Sequence, residues 1–340
     1  MAGQGKTYIL YSEWGGTATN HAGMAYLVAR ISQDYKSRVR LIKIPGSIAK
    51  WPYLLQRIHF HSLVYFLKWV LKDYDKVLFI EYMGVASGNQ NGIANNLRRK
   101  GVRAKFFGMV HLSGDHLLEL YESEEHIRDA AQNVDKIIVL GSALASFFGK
   151  LGYKQKVIQT FHYVDNEYYK PSTTEGSRSL QVIHMGCHKR DFNLLQKIVA
   201  ANPEIHFHIC EGYLDLQKQF SHFKNVKLYS YLSEAALLEV MHSCNVSLSV
   251  MEDAVGSNVI SCSMACGLVN VVSDVGSIRD YCNEKNSILC KNLNDFSTAL
   301  KTLGNDSALL EDIRLNSLAY SAKLSIDASI EFFHREVILS

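Results

Sequence analysis

A chain of 340 residues exceeds what one hydrophobic core ordinarily organises, and two domains of about 160–170 residues each are the natural division. With 47% hydrophobic and 20% charged residues and four prolines, the composition is that of an ordered globular protein and excludes a disordered or collagen-like chain. The net charge of +3 hides an asymmetry: residues 1–105 hold 16 Lys and Arg against 5 Asp and Glu, net +11, and the remainder holds 20 against 28, net −8. The first hundred residues are therefore a basic block suited to an anionic surface.

All seven cysteines (187, 210, 244, 262, 266, 282, 290) fall in the second half, in odd number and without a CxxC pair. That usage predicts reduced thiols in a cytosolic compartment and argues against a zinc site. The apolar run from Tyr8 to Tyr11 is too short for a secretory signal and is followed by Glu13. Basic residues are scattered without the aromatic interleaving of RNA-binding motifs, so nucleic acid is not an expected partner. No HExxH, GxSxG or P-loop occurs.

TYILYSEW (7–14) predicts a first strand, GGTATNHAG a loop, and Met24 to Ile31 a helix. Strand, Gly15–Gly16 loop and helix open a Rossmann-like unit, yet the glycine spacing is not the dinucleotide fingerprint. The loop fits a sugar or phosphate neighbour better than NAD, and a tight turn without a ligand is the alternative. RVRLIKI (38–44) is the second strand, after which Pro52 starts a long helix reaching about Asp73.

Within that helix Arg57, His61, Lys68 and Lys72 recur at spacings of four, seven and four, which places them on one face, with Lys50 just upstream. Trp51, Tyr53, Phe60, Tyr65, Phe66 and Trp69 make the segment rich in aromatic rings, and Arg57 and Lys68 inside the apolar run exclude a transmembrane span. Two readings stand: the apolar residues pack on the sheet and leave the basic stripe in water, or stripe and aromatics lie against anionic headgroups.

KVLFIEYM gives the third strand, NQNGIANNLRRKG a helix, and RAKFFGMVHL the fourth strand. His111 then sits at a strand end, where open α/β sheets place ligand-facing residues, with Glu81 at the corresponding end of the third strand. A lone histidine is as readily structural. VDKIIVLGSALASFFGKLGY and KVIQTFHYVDNEYYKP supply two more strands with a helix between. The polar stretch STTEGSRS (172–179) is the expected domain boundary and hinge, dividing the chain into 1–171 and 172–324. SIDASIEFFHREVIL closes the chain as an amphipathic helix within 325–340.

In the second half SLQVIHMG is an opening strand, with Lys189 and Arg190 in the loop that follows it. IHFHICEG and VKLYSYLSEAALLEVMHSCNVSLSV continue the alternation of strand and helix, bringing Glu211 and Glu252 to strand ends. The chain is organised around DAVGSNVISCSMACGLVNVVSDVGSIRDY (253–281). It reads as a loop opening a helix at Val259, a stop at Gly267, a buried strand LVNVVSD, and a second loop opening a second helix. Free N–H groups at Ser257, Asn258 and Val259 make the first helix start an anion site, beside Lys189 and Arg190 if the sheet is parallel.

The segment SNVISCSMACGLVNVVSDVGSIRDY resembles the diphosphate-binding segment of GT-B glycosyltransferases, most of all the GT4 family of nucleotide-sugar-dependent enzymes. That family carries two glutamates separated by seven residues, one touching the transferred sugar and one holding the donor ribose. Aligned on Met264, Ala265, Cys266 and Gly267, these positions hold Ala254 and Cys262, neither of which accepts hydrogen bonds as a carboxylate does. Glu252 and Asp253 lie just upstream and replace them if the loop runs differently. Where the family reads Asn-Gly-Val-Asp and then Phe-x-Pro, this chain reads His162, Tyr163, Val164, Asp165 and then Tyr169, Lys170, Pro171.

The resemblance implies two Rossmann-like, doubly wound α/β lobes facing a cleft, with the last helix returning to the first lobe. It implies a nucleoside-diphosphate sugar as donor, contacted by Gly15, Gly16, Glu211, Tyr231, Leu232, Glu252, Ser257, Asn258 and Val259. Lys189 and Arg190 would neutralise the leaving diphosphate, with Cys187 in place of a usual arginine, and His111 would line the sugar site or act as base. No metal and no cofactor beyond the donor are implied. Joined to the charge split, this predicts an anionic lipid-linked or saccharide acceptor on the basic lobe, with Arg57, His61, Lys68 and Lys72 on the membrane or acceptor face. The expected setting is a cytoplasmic enzyme, peripheral on the inner face of the cytoplasmic membrane, in synthesis of capsule, O-antigen or exopolysaccharide. The alternatives are a non-catalytic GT-B scaffold or partner subunit and a GT-B nucleotide-sugar epimerase; the latter needs cleft carboxylates, of which only Glu211 and Glu252 stand at strand ends.

Overall fold

The computed structural model describes residues 5–13, 20–45, 50–84, 90–172 and 179–340. They divide into one unit of Met1–Phe161 with Asp327–Ser340 and another of His162–Ile326. Each unit is built on a six-stranded, wholly parallel sheet. Gly15 and Gly16 lie outside the described residues.

The first unit contains β1 (Thr7–Glu13), β2 (Val39–Pro45), β3 (Lys76–Phe79), β4 (Lys105–Val110), β5 (Lys136–Val139) and β6 (Val157–Gln159), in the order β2-β1-β3-β4-β5-β6. Its helices are α1 (Met24–Asp34), α2 (Tyr53–Val70), α3 (Gln90–Arg99), α4 (Gly114–Tyr121), α5 (Glu124–Gln132) and α6 (Ser142–Phe148). Helices on both faces explain why strands such as β3 and β5 are continuous apolar runs rather than alternating ones: Val77, Leu78, Phe79, Ile137, Ile138 and Val139 are all buried. Two helices, α4 and α5, fill a stretch to which the sequence pattern assigned nothing; serines cap both, Ser113 Oγ accepting from His116 N–H and Ser123 Oγ from His126 N–H.

Helix α2 stops at Val70, short of the expected Asp73, because the Asp75 carboxylate competes for backbone donors. It accepts from Lys72 N–H (3.0 Å) and Lys6 N–H (2.7 Å), and Asp75 N–H closes a turn onto Lys72 O (2.9 Å). Lys72 is therefore beyond the helix end rather than on its last turn.

The second unit contains β7 (Gln181–His184), β8 (His206–Cys210), β9 (Val226–Tyr229), β10 (Val246–Ser249), β11 (Val269–Ser273) and β12 (Ser287–Cys290). Its helices are α7 (Phe192–Ala201), α8 (Gln217–Phe220), α9 (Glu234–His242), α10 (Asn258–Ala265), α11 (Leu293–Asn305) and α12 (Ser307–Ser321). The order β12-β11-β10-β7-β8-β9 winds outward in both directions from the β7/β10 pair. Small side chains let α10 settle close to the sheet: Ser263 Oγ donates to Ser247 Oγ (2.9 Å), and Ser261 Oγ to Tyr163 O (3.3 Å). The second helix expected after β11 is only one 3₁₀ turn, Ile278–Asp280, because Asn286 Nδ2 takes Tyr281 O (3.0 Å) and turns the chain toward β12.

The chain enters the second unit at His162, ahead of the polar stretch, of which residues 173–178 lie outside the described residues. His162 N–H donates to the Tyr281 hydroxyl (2.9 Å), and Val164 pairs with Ser325 and bonds Leu324 O and Ile326 N–H. The last helix, α13 (Ile326–Phe333), belongs from Asp327 onward to the first unit. There Tyr35 stacks on His334 at 4.5 Å and Lys76 Nζ donates to Ile338 O at 2.8 Å. All seven cysteines are free thiols, six of them buried and Cys187 half-buried.

Candidate functional site

In a doubly wound sheet, loops leaving two neighbouring strands in opposite directions open a crevice at the strands' carboxyl ends. In the second unit that point is between β7 and β10, and the loops concerned are 185–191 and 250–258. Backbone bonds fasten them to each other: Arg190 bridges Met251, Glu252 N–H donates to Lys189 O (3.0 Å), and Asp191 N–H to Val250 O (3.2 Å). Met251 N–H is held by the buried Ser273 Oγ at 2.8 Å, and Asp191 Oδ1 caps α7 through Leu194 N–H (2.8 Å). Lys189 and Glu252 thus stand side by side at the crevice rim.

Within the first loop Lys189 adopts a left-handed backbone, φ +49°, uncommon for a non-glycine residue and a local strain. Gly186 has φ +86°, and a Cβ there would stand 2.8 Å from Arg190 Nη2. The guanidinium lies over that glycine, with Nε donating to Met185 O (3.2 Å) and Nη1 to His188 O (3.4 Å). Burial pulls Arg190 down to about 10, so it remains a cation at neutral pH. Two of its nitrogens brace the loop itself. Beneath it, His184 is fully buried, its Nδ1 against Leu248 O at 3.0 Å and its Nε2 without a hydrogen-bond partner. Burial and the neighbouring Arg190 charge push this imidazole down to about 3.

The second loop ends at Ser257, the N-cap position of α10, whose side chain makes no capping bond. The N–H groups of Asn258, Val259 and Ile260 have no acceptor inside the helix, and the positive end of its dipole is here. Gly276 sets the floor of this turn. With φ +53°, it sits where a Cβ would fall 2.3 Å from Ala254 O and 2.5 Å from Asp253 Oδ1, while Ser277 N–H donates to Ala254 O (2.6 Å). Ala254 and Cys262, at the positions of the GT4 glutamates, are both buried. Cys262 adjoins the Tyr169 hydroxyl, which donates to Glu234 Oε1 at 2.8 Å.

The ends of β8 and β9 carry Glu211, Tyr231 and Leu232. Glu211 is buried and its Oε1 accepts from Leu216 N–H (2.9 Å), so one carboxylate oxygen braces its own loop. Tyr231 is exposed and stacks on Tyr213, ring centroids 5.0 Å apart; Tyr213 carried no sequence signal. Leu232 is half-buried and precedes Ser233, which caps α9.

In the first unit His111 and Glu81 come together at the adjoining ends of β4 and β3. His111 is half-buried and its Nε2 lies 2.6 Å from Ile80 O, a contact that places a ring proton on Nε2. Burial holds this imidazole below its ordinary value, against the opposing pull of the Ile80 bond and the Glu81 charge. Glu81 N–H donates to Gln90 Oε1 (3.1 Å), and Met83, two residues on, has a left-handed backbone with φ +62°. Arg57, His61, Lys68 and Lys72 are exposed, on or just beyond α2. Among the described residues no group of three His, Cys, Asp or Glu side chains is placed to hold a metal ion, and no helix is long and apolar enough to cross a membrane.

No protein-family model matches the chain, and no curated protein matches it. Solved structures match in fold. Anabaena Alr3699/HepE in complex with UDP and glucose superposes with a TM-score of 0.74 over 98% of this chain and 99% of its own, at 14% identity. Sucrose-phosphate synthase (tll1590) from Thermosynechococcus elongatus gives 0.74 over 98% and 99% at 11% identity. The lipopolysaccharide outer core galactosyltransferase WaaB, in its apo form, gives 0.69 over 97% and 98% at 12% identity. The shared architecture is the pair of Rossmann-like lobes of a GT-B glycosyltransferase fold, and at these identities the likeness is one of fold.

Proposed function

We propose that the chain transfers a sugar from a nucleoside-diphosphate sugar to an anionic lipid-linked or saccharide acceptor in surface-glycan synthesis, working peripherally at the inner face of the cytoplasmic membrane. The observation that carries this reading is the β7/β10 crevice, where a strained Lys189 and the open N-terminus of α10 meet on interlocked loops. Such a place suits a diphosphate. Structures of the same fold support a nucleotide-sugar ligand, since Alr3699/HepE was obtained in complex with UDP and with UDP-glucose.

In the reaction the bond from the anomeric carbon to the diphosphate oxygen breaks, and the leaving group takes the electron pair. An acceptor hydroxyl forms the new bond to that carbon and gives up its proton. The second unit holds the donor. Lys189 and the N–H groups of Ser257, Asn258 and Val259 meet the developing negative charge without a bound metal, Arg190 keeps the loop in shape, and Tyr231 and Tyr213 flank the base. The basic first unit is the side assigned to the acceptor, with His111 as base or as a lining group.

A second reading, a non-catalytic scaffold that keeps the nucleotide site, is favoured by one observation: buried Ala254 and Cys262 replace both family glutamates. Release of nucleoside diphosphate from a panel of nucleotide sugars, with and without membrane-lipid extract as acceptor source, separates the two. An enzyme releases it and loses that activity in a Lys189→Gln, Arg190→Gln double variant. A scaffold binds nucleotide with no turnover, and a chain that neither binds nor turns over any nucleotide sugar overturns both readings.

A further inference from the structure

Helix α2 is apolar on two sides and buries only one of them. Val64 and Leu67 face the core of the first unit, with Phe60 and Leu63 packed beside them. On the opposite side Leu54, Ile58, Tyr65 and Trp69 recur at spacings of four, seven and four, and so form a single line along the helix. They are 66%, 55%, 57% and 86% exposed. Eight of the thirteen large apolar side chains that the described residues expose lie between 53 and 74, so this is a patch rather than the ordinary scatter of surface hydrophobics.

A second line runs parallel to the first, three residues on. Arg57, His61 and Lys68 repeat the spacing of four and seven, Lys72 continues it just past the helix end, and all are exposed. Cations also sit against the patch's rings: Arg57 lies 5.8 Å from Tyr53, Lys72 6.0 Å from Tyr74, and Lys100 4.3 Å from Tyr65. The helix contains no Asp or Glu. Charge therefore selects the occupant. A second copy packed antiparallel on this face by two-fold symmetry would bring the two cationic lines together, and one packed parallel would leave each line without a carboxylate on the facing helix to answer it. A straight apolar line about 22 Å long, bordered by cations and ending in a tryptophan, fits a plane of anionic headgroups.

We infer that α2 is an in-plane docking helix for a bilayer containing anionic lipid, with Leu54, Ile58, Tyr65 and Trp69 at the headgroup–acyl boundary and Arg57, Lys68 and Lys72 against lipid phosphates. The inference supplies a surface for the membrane-borne acceptor proposed above, but its test needs no turnover, so the two fail separately. The full chain is sedimented with vesicles of phosphatidylcholine alone and of phosphatidylcholine mixed with phosphatidylglycerol, at low and high salt, while tryptophan emission is followed in the wild type and in Trp69→Phe, whose difference reports Trp69. The wild type binds the anionic vesicles, releases them in high salt, and shifts its emission to the blue. An Arg57→Gln, Lys68→Gln variant partitions about thirtyfold more weakly, and an Ile58→Ser, Trp69→Ser variant at least about tenfold more weakly. Both substitute exposed side chains, and unchanged circular dichroism and melting confirm that they fold. Binding that is absent, equal on uncharged vesicles, or unchanged in both variants overturns the inference, as does a wild type that sediments as a dimer and becomes monomeric when Ile58 and Trp69 are replaced.

Discussion

Acidification is expected to loosen the second unit through one buried imidazole. His184 is held at about 3 by burial and by the Arg190 charge, against about 6.5 in an unfolded chain. Its Nδ1–H donates to Leu248 O and its Nε2 faces no partner, so a second proton would be an uncompensated charge beside a guanidinium. Because the folded value is depressed, the unfolded chain binds a proton that the folded unit refuses between those two values. Stability from this group is complete above about pH 6.5 and falls as pH drops toward 3. Between pH 7 and pH 5 the loss is about 2 kcal/mol.

Urea unfolding of the wild type and of His184→Asn at the two pH values measures it. The three tryptophans, 14, 51 and 69, all lie in the first unit. The second unit is therefore followed as the circular dichroism change without a matching fluorescence change. His208, also depressed by burial and by Lys227, is present in both proteins and cancels. The wild type should lose about 2 kcal/mol more than His184→Asn on going from pH 7 to pH 5; equal losses would refute a neutral, sequestered imidazole beneath the loop.

Gly276→Ala combines a left-handed backbone with a Cβ 2.3 Å from Ala254 O, and should destabilise the second unit by at least about 2 kcal/mol; an unchanged melt contradicts the packing of this loop. Cys262→Glu, which introduces the glutamate of the GT4 segment that this stretch resembles, places a carboxylate in a buried site near Glu234 and Asp165. It should cost about 3 kcal/mol or more without tightening nucleotide binding, and tighter binding in calorimetry would show that the position is still open to a ribose. His111→Asn should lower kcat by about 10²–10⁴. Because burial depresses the His111 imidazole, the wild-type rate should hold its acid limb below pH 6.5, and a limb at or above that value removes His111 as the base.

Much of the architecture was legible because both sheets are parallel and covered on two faces, so strands such as β3, β5 and β11 stand out as short apolar runs between polar turns. Helix α10 was legible from its small residues and the glycine after it. What periodicity could not supply were contacts made by single side chains to distant backbone: Asp75 ending α2, Asn286 cutting short the helix after β11, and Glu211 bracing its own loop. For α2 the sequence left two readings open, because apolar residues flank the basic stripe on both sides, and the coordinates show which of those sides the sheet covers. Arg190 likewise reads as a free cation until its nitrogens are seen on Met185 O and His188 O.

The most direct test is titration calorimetry of a panel of nucleoside diphosphates and their sugars against the wild type, Lys189→Gln and Asn258→Pro. Proline is accepted at the first position of a helix and deletes a single N–H from the turn that opens α10. At least one diphosphate should bind the wild type, and each variant should bind it about tenfold more weakly while melting as the wild type does. A chain that binds none of them, or variants that bind as tightly as the wild type, would contradict a diphosphate seated at the β7/β10 crevice.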